Sequence, residues 1–280
     1  MTTVTAEQIR DAVAALCQRA NFELNQDMRR ALQAGVERET TPLARNTLLR
    51  ILKNADVAQA QRLPMCQDTG LVVVFAEVGQ EVQIGGGGLR AAINEGVRKG
   101  TREGFLRASV TADPLKRQNT GDNTPAVIHV DLVPGDKLRL RLLAKGGGCE
   151  NMSRFKMLTP AEGREGIVDF VVETAKLAGP NACPPVIVGV GIGGSFEYSA
   201  VLAKKALLRG VGERSPQPHV AELEAELFQK INATGIGPQG YGGKTTSLAV
   251  HIEVGACHVA SLPVSVNIEC HAHRHQEATL

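Results

Sequence analysis

The chain has 280 residues, enough for one large domain or two small ones and for a core that needs no disulfide support. Lys plus Arg number 31 against 29 Asp plus Glu, a net charge of +2, and aromatic residues are 3%, so neither a basic block nor a base-stacking platform for nucleic acid is present. No apolar run nears the ~20 residues that span a bilayer, and the opening Met1-Thr-Thr-Val-Thr-Ala-Glu-Gln has no basic or apolar leader, so the expected setting is cytoplasmic, with six cysteines as thiols or metal ligands rather than disulfides.

Ile9, Val13, Leu16 and Ala20 recur on one helical face, with Thr5 placed to cap it and Glu7 in the first turn. Residues 26–38 repeat the pattern more weakly. Thr41-Pro42 opens a third helix over about 42–62 that Pro64 stops, so residues 1–63 form a helical N-terminal region. The β-branched run Leu71–Val78 predicts a buried strand. Gly85–Gly88 then lead into a helix over 89–103. Strands at 126–133 and 137–144 flank the turn Pro134-Gly135-Asp136. Leu138, Leu140 and Leu142 alternate with Arg139 and Arg141, so one face of that strand is wet or ion-paired. Gly146–Gly148 end it. A helix over 161–178, a strand over 185–190, helices at about 196–208 and 219–233, a glycine loop at 235–243 and strands at 247–254 and 262–268 follow. The class is α/β, a helical N-terminal region followed by a mixed sheet with flanking helices. With no repeat, linker or charge run, residues 1–280 read as one domain.

Gly189-x-Gly191-x-x-Gly194, after a strand and before a helix, has the outline of a dinucleotide fingerprint. Its candidate acid, Glu213, falls in a loop rather than at the end of a second strand. A tight strand–helix turn is the better reading, and a nucleotide-binding oxidoreductase the alternative. The glycine runs at 85–88, 146–148 and 240–243 either present backbone N–H groups to an anionic ligand or supply turns of positive φ. In Cys270-His-Ala-His-Arg-His275 an extended chain puts the histidines on one side and the cysteine on the other. A polar C-terminus therefore explains it better than a zinc site.

Cys66, Cys183 and Cys270 each adjoin the end of a strand, separated by 117 and 87 residues, which excludes a compact ferredoxin pattern. Three such thiolates hold an iron–sulfur cluster with one iron open, or are inert buried thiols. Cys17 lies on a helix and reads as packing. Cys149 and Cys257 have no assigned role. Gln67 and Asp68 directly follow Cys66, His258 ends a strand, and Arg107 taken alone is a solvated surface residue.

Taken together, Cys66-Gln-Asp-Thr-Gly70, Asn119-Thr-Gly121, Ala144-Lys-Gly-Gly-Gly148, Ala182-Cys-Pro-Pro185, Gly242-Gly-Lys244, His258-Val-Ala-Ser-Leu-Pro-Val264 and Cys270-x-Ala-x-Arg274 resemble the iron–sulfur class I fumarases and the related tartrate dehydratases, in the family's order and over about residues 60–275. The resemblance is to the separate α subunit of the two-subunit form. It implies a [4Fe–4S] cluster on Cys66, Cys183 and Cys270, its free iron acting as a Lewis acid in reversible hydration of fumarate to L-malate. It implies Asp68 as proton donor to the departing hydroxide, tuned by His258. Gln67, Asp68, Arg107, Gly148 and Asn151 would line the substrate site, with Gly148 admitting backbone where a side chain would clash. A separate β subunit, expected in an α2β2 assembly, would supply the base at C3. Lys145, Glu150–Ser153 and Gly242–Thr246 lean to the fumarase branch, with L-tartrate dehydratase as the alternative. Neither nucleic acid nor membrane is an expected partner. Lys244 has no assigned role.

Overall fold

Thr5 caps helix α1 (Ala6–Phe22) in the expected way. Its hydroxyl accepts the Gln8 N–H at 3.2 Å while Gln8 Oε1 accepts the Thr5 N–H, closing a capping box. The buried face is the periodic one, with Ile9, Val13, Leu16, Cys17 and Ala20. Burial pushes the Cys17 thiol up to about 12, so this cysteine is an inert packing group. The strand β1 (Thr2–Thr5), not foreseen, precedes the helix. The computed structural model describes residues 2–280. The single domain expected from the sequence is subdivided into two compact units. One takes the chain up to Leu24 with Ala55–Gly147 and Arg274–Leu280; the other takes Asn25–Asn54 and Gly148–His273.

The first unit holds β2 (Leu71–Gly79), β3 (Val82–Gly85), α4 (Leu89–Glu103), β4 (Val127–Val133), β5 (Leu138–Lys145) and β10 (His275–Thr279). β1 pairs with β3 in parallel, and a four-stranded sheet runs β10-β5-β2-β4. β4 is parallel to β2; β5 is antiparallel to both β2 and β10. Alternation sorts the two faces of β5. Leu138, Leu140 and Leu142 are fully buried with Val72 and Val74 against α1 and α4. Arg141 pairs with Glu77 at 2.8 Å and Arg139 with Glu277 at 2.6 Å on the other face. β4 is an edge strand with Val127, Val130 and Leu132 exposed. The histidine-rich end of the chain is not a free polar tail: His273 and Arg274 are buried and the next five residues form β10.

The second unit holds α2 (Gln26–Arg38), α5 (Gly147–Glu150) from Gly148 onward, β6 (Arg154–Leu158), α6 (Gly163–Ala178), β7 (Val186–Gly193), α7 (Phe196–Ala206), α8 (Pro218–Asn232), β8 (Ser247–Gly255) and β9 (Leu262–Glu269), and its four strands form a sheet of order β6-β9-β7-β8. α3 (Pro42–Gln61) belongs to this unit up to Asn54. β7 is parallel to β8 and antiparallel to β9. All eight β7 residues are buried, as a continuous apolar run demands. Gly189 and Gly191 lie inside β7, where a Cβ would strike the backbone carbonyls of Ala203 and Ser199 on α7. The glycine pattern that resembles a dinucleotide fingerprint is thus used for close helix–strand packing. No helix among the described residues is long and apolar enough to cross a membrane.

His251 on β8 is almost fully buried, and burial, reinforced by the nearby Arg209 charge, lowers its pKa to about 4. The unfolded chain therefore binds a proton that the folded chain refuses between about pH 6.5 and pH 4. Stability is present above pH 6.5 and falls as pH drops through that window, by roughly 3 kcal/mol in all. Urea midpoints at pH 7 and pH 4.5 should differ more for the native chain than for a folded His251→Phe variant.

Candidate active site

In the first unit the segment between α3 and β2 carries Cys66, Gln67 and Asp68. Pro64 and the left-handed Arg62 (φ 51°) turn the chain out of the helix, and the Met65 N–H donates to the Asn21 carbonyl at 2.9 Å. Asp68 is half-buried and held at both carboxylate oxygens. Oδ1 accepts the Gly70 N–H at 3.0 Å and Oδ2 the Gly147 N–H at 2.7 Å. The backbone carbonyl of Asp68 accepts from Arg274 Nη1, whose guanidinium also reaches Asn21 Oδ1 at 3.2 Å. The Thr69 hydroxyl donates to the Arg107 carbonyl at 2.6 Å, and Asn123 bridges the Gly70 carbonyl (3.0 Å) to the Ser109 N–H (2.8 Å). These bonds bring Cys66, Gln67, Asp68 and the exposed Arg107 together in one unit. Sequence reasoning missed Asn21 and Asn123. It placed Arg274 only within a motif, though it is 1% exposed and supports the Asp68 backbone.

Gly70 fixes this segment. Its φ is +83°, and a Cβ there would sit 2.7 Å from the carbonyl carbon of Ala144 in β5. Gly70→Ala should therefore destabilise the fold by about 1–3 kcal/mol, the cost of a strained backbone position before the clash is counted, measured as a lowered urea midpoint.

In the second unit Cys183 sits in the left-handed conformation after the 3-10 turn Gly179–Ala182 and just before β7, and is exposed. Cys270 follows β9 and is half-buried. Because β9 is antiparallel to β7, with Glu269 paired to Ile187, the start of β7 and the end of β9 share one end of the sheet. His271 Nδ1 lies 2.9 Å from the Cys183 carbonyl and 3.1 Å from Gln239 Nε2, tying the two cysteine loops together. Gly148 reaches this end as well: a Cβ on it would lie 3.6 Å from the Asn181 carbonyl. That is ordinary contact, so this chain by itself imposes no need for glycine at 148. Asn151 is exposed in the turn that follows α5.

His258 is elsewhere. It lies between β8 and β9, beyond the pair Gly193–Gly255, and so at the opposite end of the sheet from Cys183 and Cys270. At ~3.3 Å per residue, the length of β7 puts about 25 Å between the two ends. Within its own unit His258 therefore stands apart from Cys183 and Cys270. Its exposed ring accepts the Ala260 N–H at 3.1 Å and borders an apolar groove with Ile192, Val254 and Leu262.

All six cysteines are free thiols. Cys66, Cys183 and Cys270 stand on loops and retain solvent access, whereas Cys17 is sealed in the core. Soft donors on irregular, accessible backbone fit an iron–sulfur cluster in both chemistry and exposure. Cys149, unassigned from sequence, is buried beside Cys270 and Glu269.

A family described as "Fumarate hydratase (Fumerase)" matches residues 10–279, and the chain belongs to this family of iron–sulfur hydro-lyases. Among curated proteins it is 42% identical over 273 residues to a Methanocaldococcus jannaschii protein named "Putative L(+)-tartrate dehydratase subunit alpha", covering 95% of each chain. It is 39% and 38% identical over 240 residues to proteins of Escherichia coli strains UTI89 and K12 named "L(+)-tartrate dehydratase subunit alpha", covering 84% of this chain and 78% of theirs.

Proposed function

We propose that this chain is the α subunit of an iron–sulfur hydro-lyase that reversibly adds water to fumarate, giving L-malate. The observation that carries the reading is Asp68, a half-buried carboxylate clamped by two backbone N–H groups two residues from the accessible thiol of Cys66. Cys66, Cys183 and Cys270 would hold the cluster, of the [4Fe–4S] type. When bound, such a cluster with one iron free of protein ligand supplies Lewis-acid chemistry to a 2-hydroxyl group.

The remaining chemistry belongs to side chains of this chain and of a partner. In the dehydration direction Asp68 gives a proton to the departing hydroxide, and in hydration it takes one from the entering water. Its two backbone bonds fix where that proton is held. Arg107 offers a planar pair of donors for one substrate carboxylate. Gln67 and Asn151 supply neutral hydrogen-bonding groups, and the exposed N–H of Gly148 a backbone donor. His258 is given no part in the cysteine-end chemistry of its own chain. The base at C3 is assigned to a separate β subunit, in keeping with the relatives' names as α subunits.

The α chain produced anaerobically with its β subunit should interconvert fumarate and L-malate, and the α chain alone should not. A second reading, L-tartrate dehydration, is favoured by the names of the relatives. Turnover of L-tartrate to oxaloacetate without action on fumarate would replace the first reading by the second. Absence of both activities from an iron-loaded assembly would sink both.

A further inference from the structure

Around Cys270 the second unit gathers donors that the proposed cluster does not use. The Cys149 sulfur lies 3.7 Å from Glu269 Oε1, and the Cys270 sulfur 3.8 Å from the same oxygen. One ligating atom from each of the three residues falls within 4.8 Å of the other two. A tetrahedral ion with metal–sulfur bonds of ~2.3 Å and a metal–oxygen bond of ~2.0–2.2 Å holds its sulfur and oxygen ligands roughly 3.6 Å apart. Both sulfur–oxygen separations are thus close to those of ligand pairs before any ion is present.

The three groups are also held in place. Glu269 is fully buried at the end of β9 and locked in register with β7. Cys149, 4% exposed, sits in α5, and the end of that helix and the turn after it are fastened to β9. There Asn267 Nδ2 donates to Glu150 Oε2 at 2.8 Å and to Ser153 Oγ at 2.9 Å, and the Ile268 N–H donates to Ser153 Oγ at 3.2 Å. Preset ligands lose little freedom on binding. The half-buried Cys270 leaves a way in from solvent. Two thiolates and one carboxylate select a borderline or soft divalent ion over magnesium or calcium, and three protein ligands leave a fourth position open.

We propose that Cys149, Glu269 and Cys270 form a binding site for a single thiophilic divalent cation of the zinc or ferrous class. The site does not depend on the cluster. If the reading of Cys270 as a cluster ligand also holds, an ion seated here withdraws one of the cluster's three sulfurs, and the two centres compete.

The test is an anaerobic titration of the metal-free full chain with cobalt(II) alone. It is read by thiolate-to-cobalt charge transfer in the near ultraviolet and by the visible bands of four-coordinate cobalt. One cobalt per chain is expected, displaced by zinc. Loss of a direct ligand must cost at least as much as loss of a supporting group, so Cys149→Ser and Glu269→Gln should each weaken binding by at least about tenfold. Cys66→Ser and Cys183→Ser should bind cobalt as the parent does, although neither should retain a cluster. Cys149→Ala, checked for a native fold by circular dichroism, covers the case in which Glu269→Gln does not fold. Absence of charge transfer in the parent chain would overturn the proposal, as would unchanged binding by Cys149→Ala. So would binding lost in Cys66→Ser or Cys183→Ser, which would place the ion on the cluster's own cysteines. Failure of the cluster reading would show differently, as cobalt bound here in a chain that never takes up iron and sulfide.

Discussion

Asp68→Asn is expected to leave the iron–sulfur content of the assembled enzyme unchanged and to lower kcat by about 10²–10⁴-fold, the range for a lost general acid or base. The substitution keeps the size and shape of the side chain. It leaves the Arg274 bond to the residue 68 carbonyl untouched, because that bond is made to backbone. It also turns one of the two acceptor oxygens into a donor facing a backbone N–H. A local cost of about 1–3 kcal/mol follows and should appear as a small drop in thermal midpoint. The split between kcat and KM separates the two effects: loss of the proton falls on kcat, and loss of positioning raises KM as well. Wild-type turnover in Asp68→Asn, with cluster intact, would remove Asp68 from the chemistry.

A larger change is expected from the cysteines. Cys66→Ser or Cys183→Ser should abolish retention of the cluster, seen as loss of brown colour and of bound iron and sulfide after anaerobic reconstitution with the β subunit. A serine hydroxyl is nearly isosteric with a thiol, but it is not ionised near neutral pH and is a poor ligand for iron in a sulfide cluster. Both cysteines lie on accessible loops outside the two apolar cores, so the variants should fold with thermal midpoints near that of the parent. Cys17→Ser is the control. It places a hydroxyl in a sealed core, where it should lower stability and leave cluster content alone. Iron retained in full by Cys66→Ser would remove that residue from the ligand set.

Periodicity gave the long elements almost residue for residue. α2 and α4 begin and end where the pattern placed them, and Leu71–Gly79 and Leu262–Glu269 are the expected strands. The short strands were not legible. Arg154–Leu158 and His275–Thr279 are mixed in polarity and exist because β9 and β5 offer them ladders. Pairing with a distant strand leaves no local signature. The candidate site divides the same way. Cys66, Cys183 and Cys270 stood out as candidates by residue type and place at strand ends, and Asp68 through the family resemblance. Cys149 comes to lie beside Glu269, 120 residues away, only through the packing of α5 on β9. His258 adjoins a strand as the cysteines do, and sequence alone does not say at which end of the sheet it falls. Which end of a strand faces which end of its neighbour depends on parallel or antiparallel pairing, and here that pairing puts His258 at the far end.

The outer side of β4 has a handling consequence. Among the described residues no strand pairs it on that side, and it shows Val127, Val130 and Leu132 to solvent. Open amides and carbonyls with apolar side chains alongside form a template on which another chain can continue the ladder. Concentrated solutions of the isolated polypeptide should therefore self-associate, with growth in particle size by light scattering, and Leu132→Lys should suppress that growth through charge on the rim.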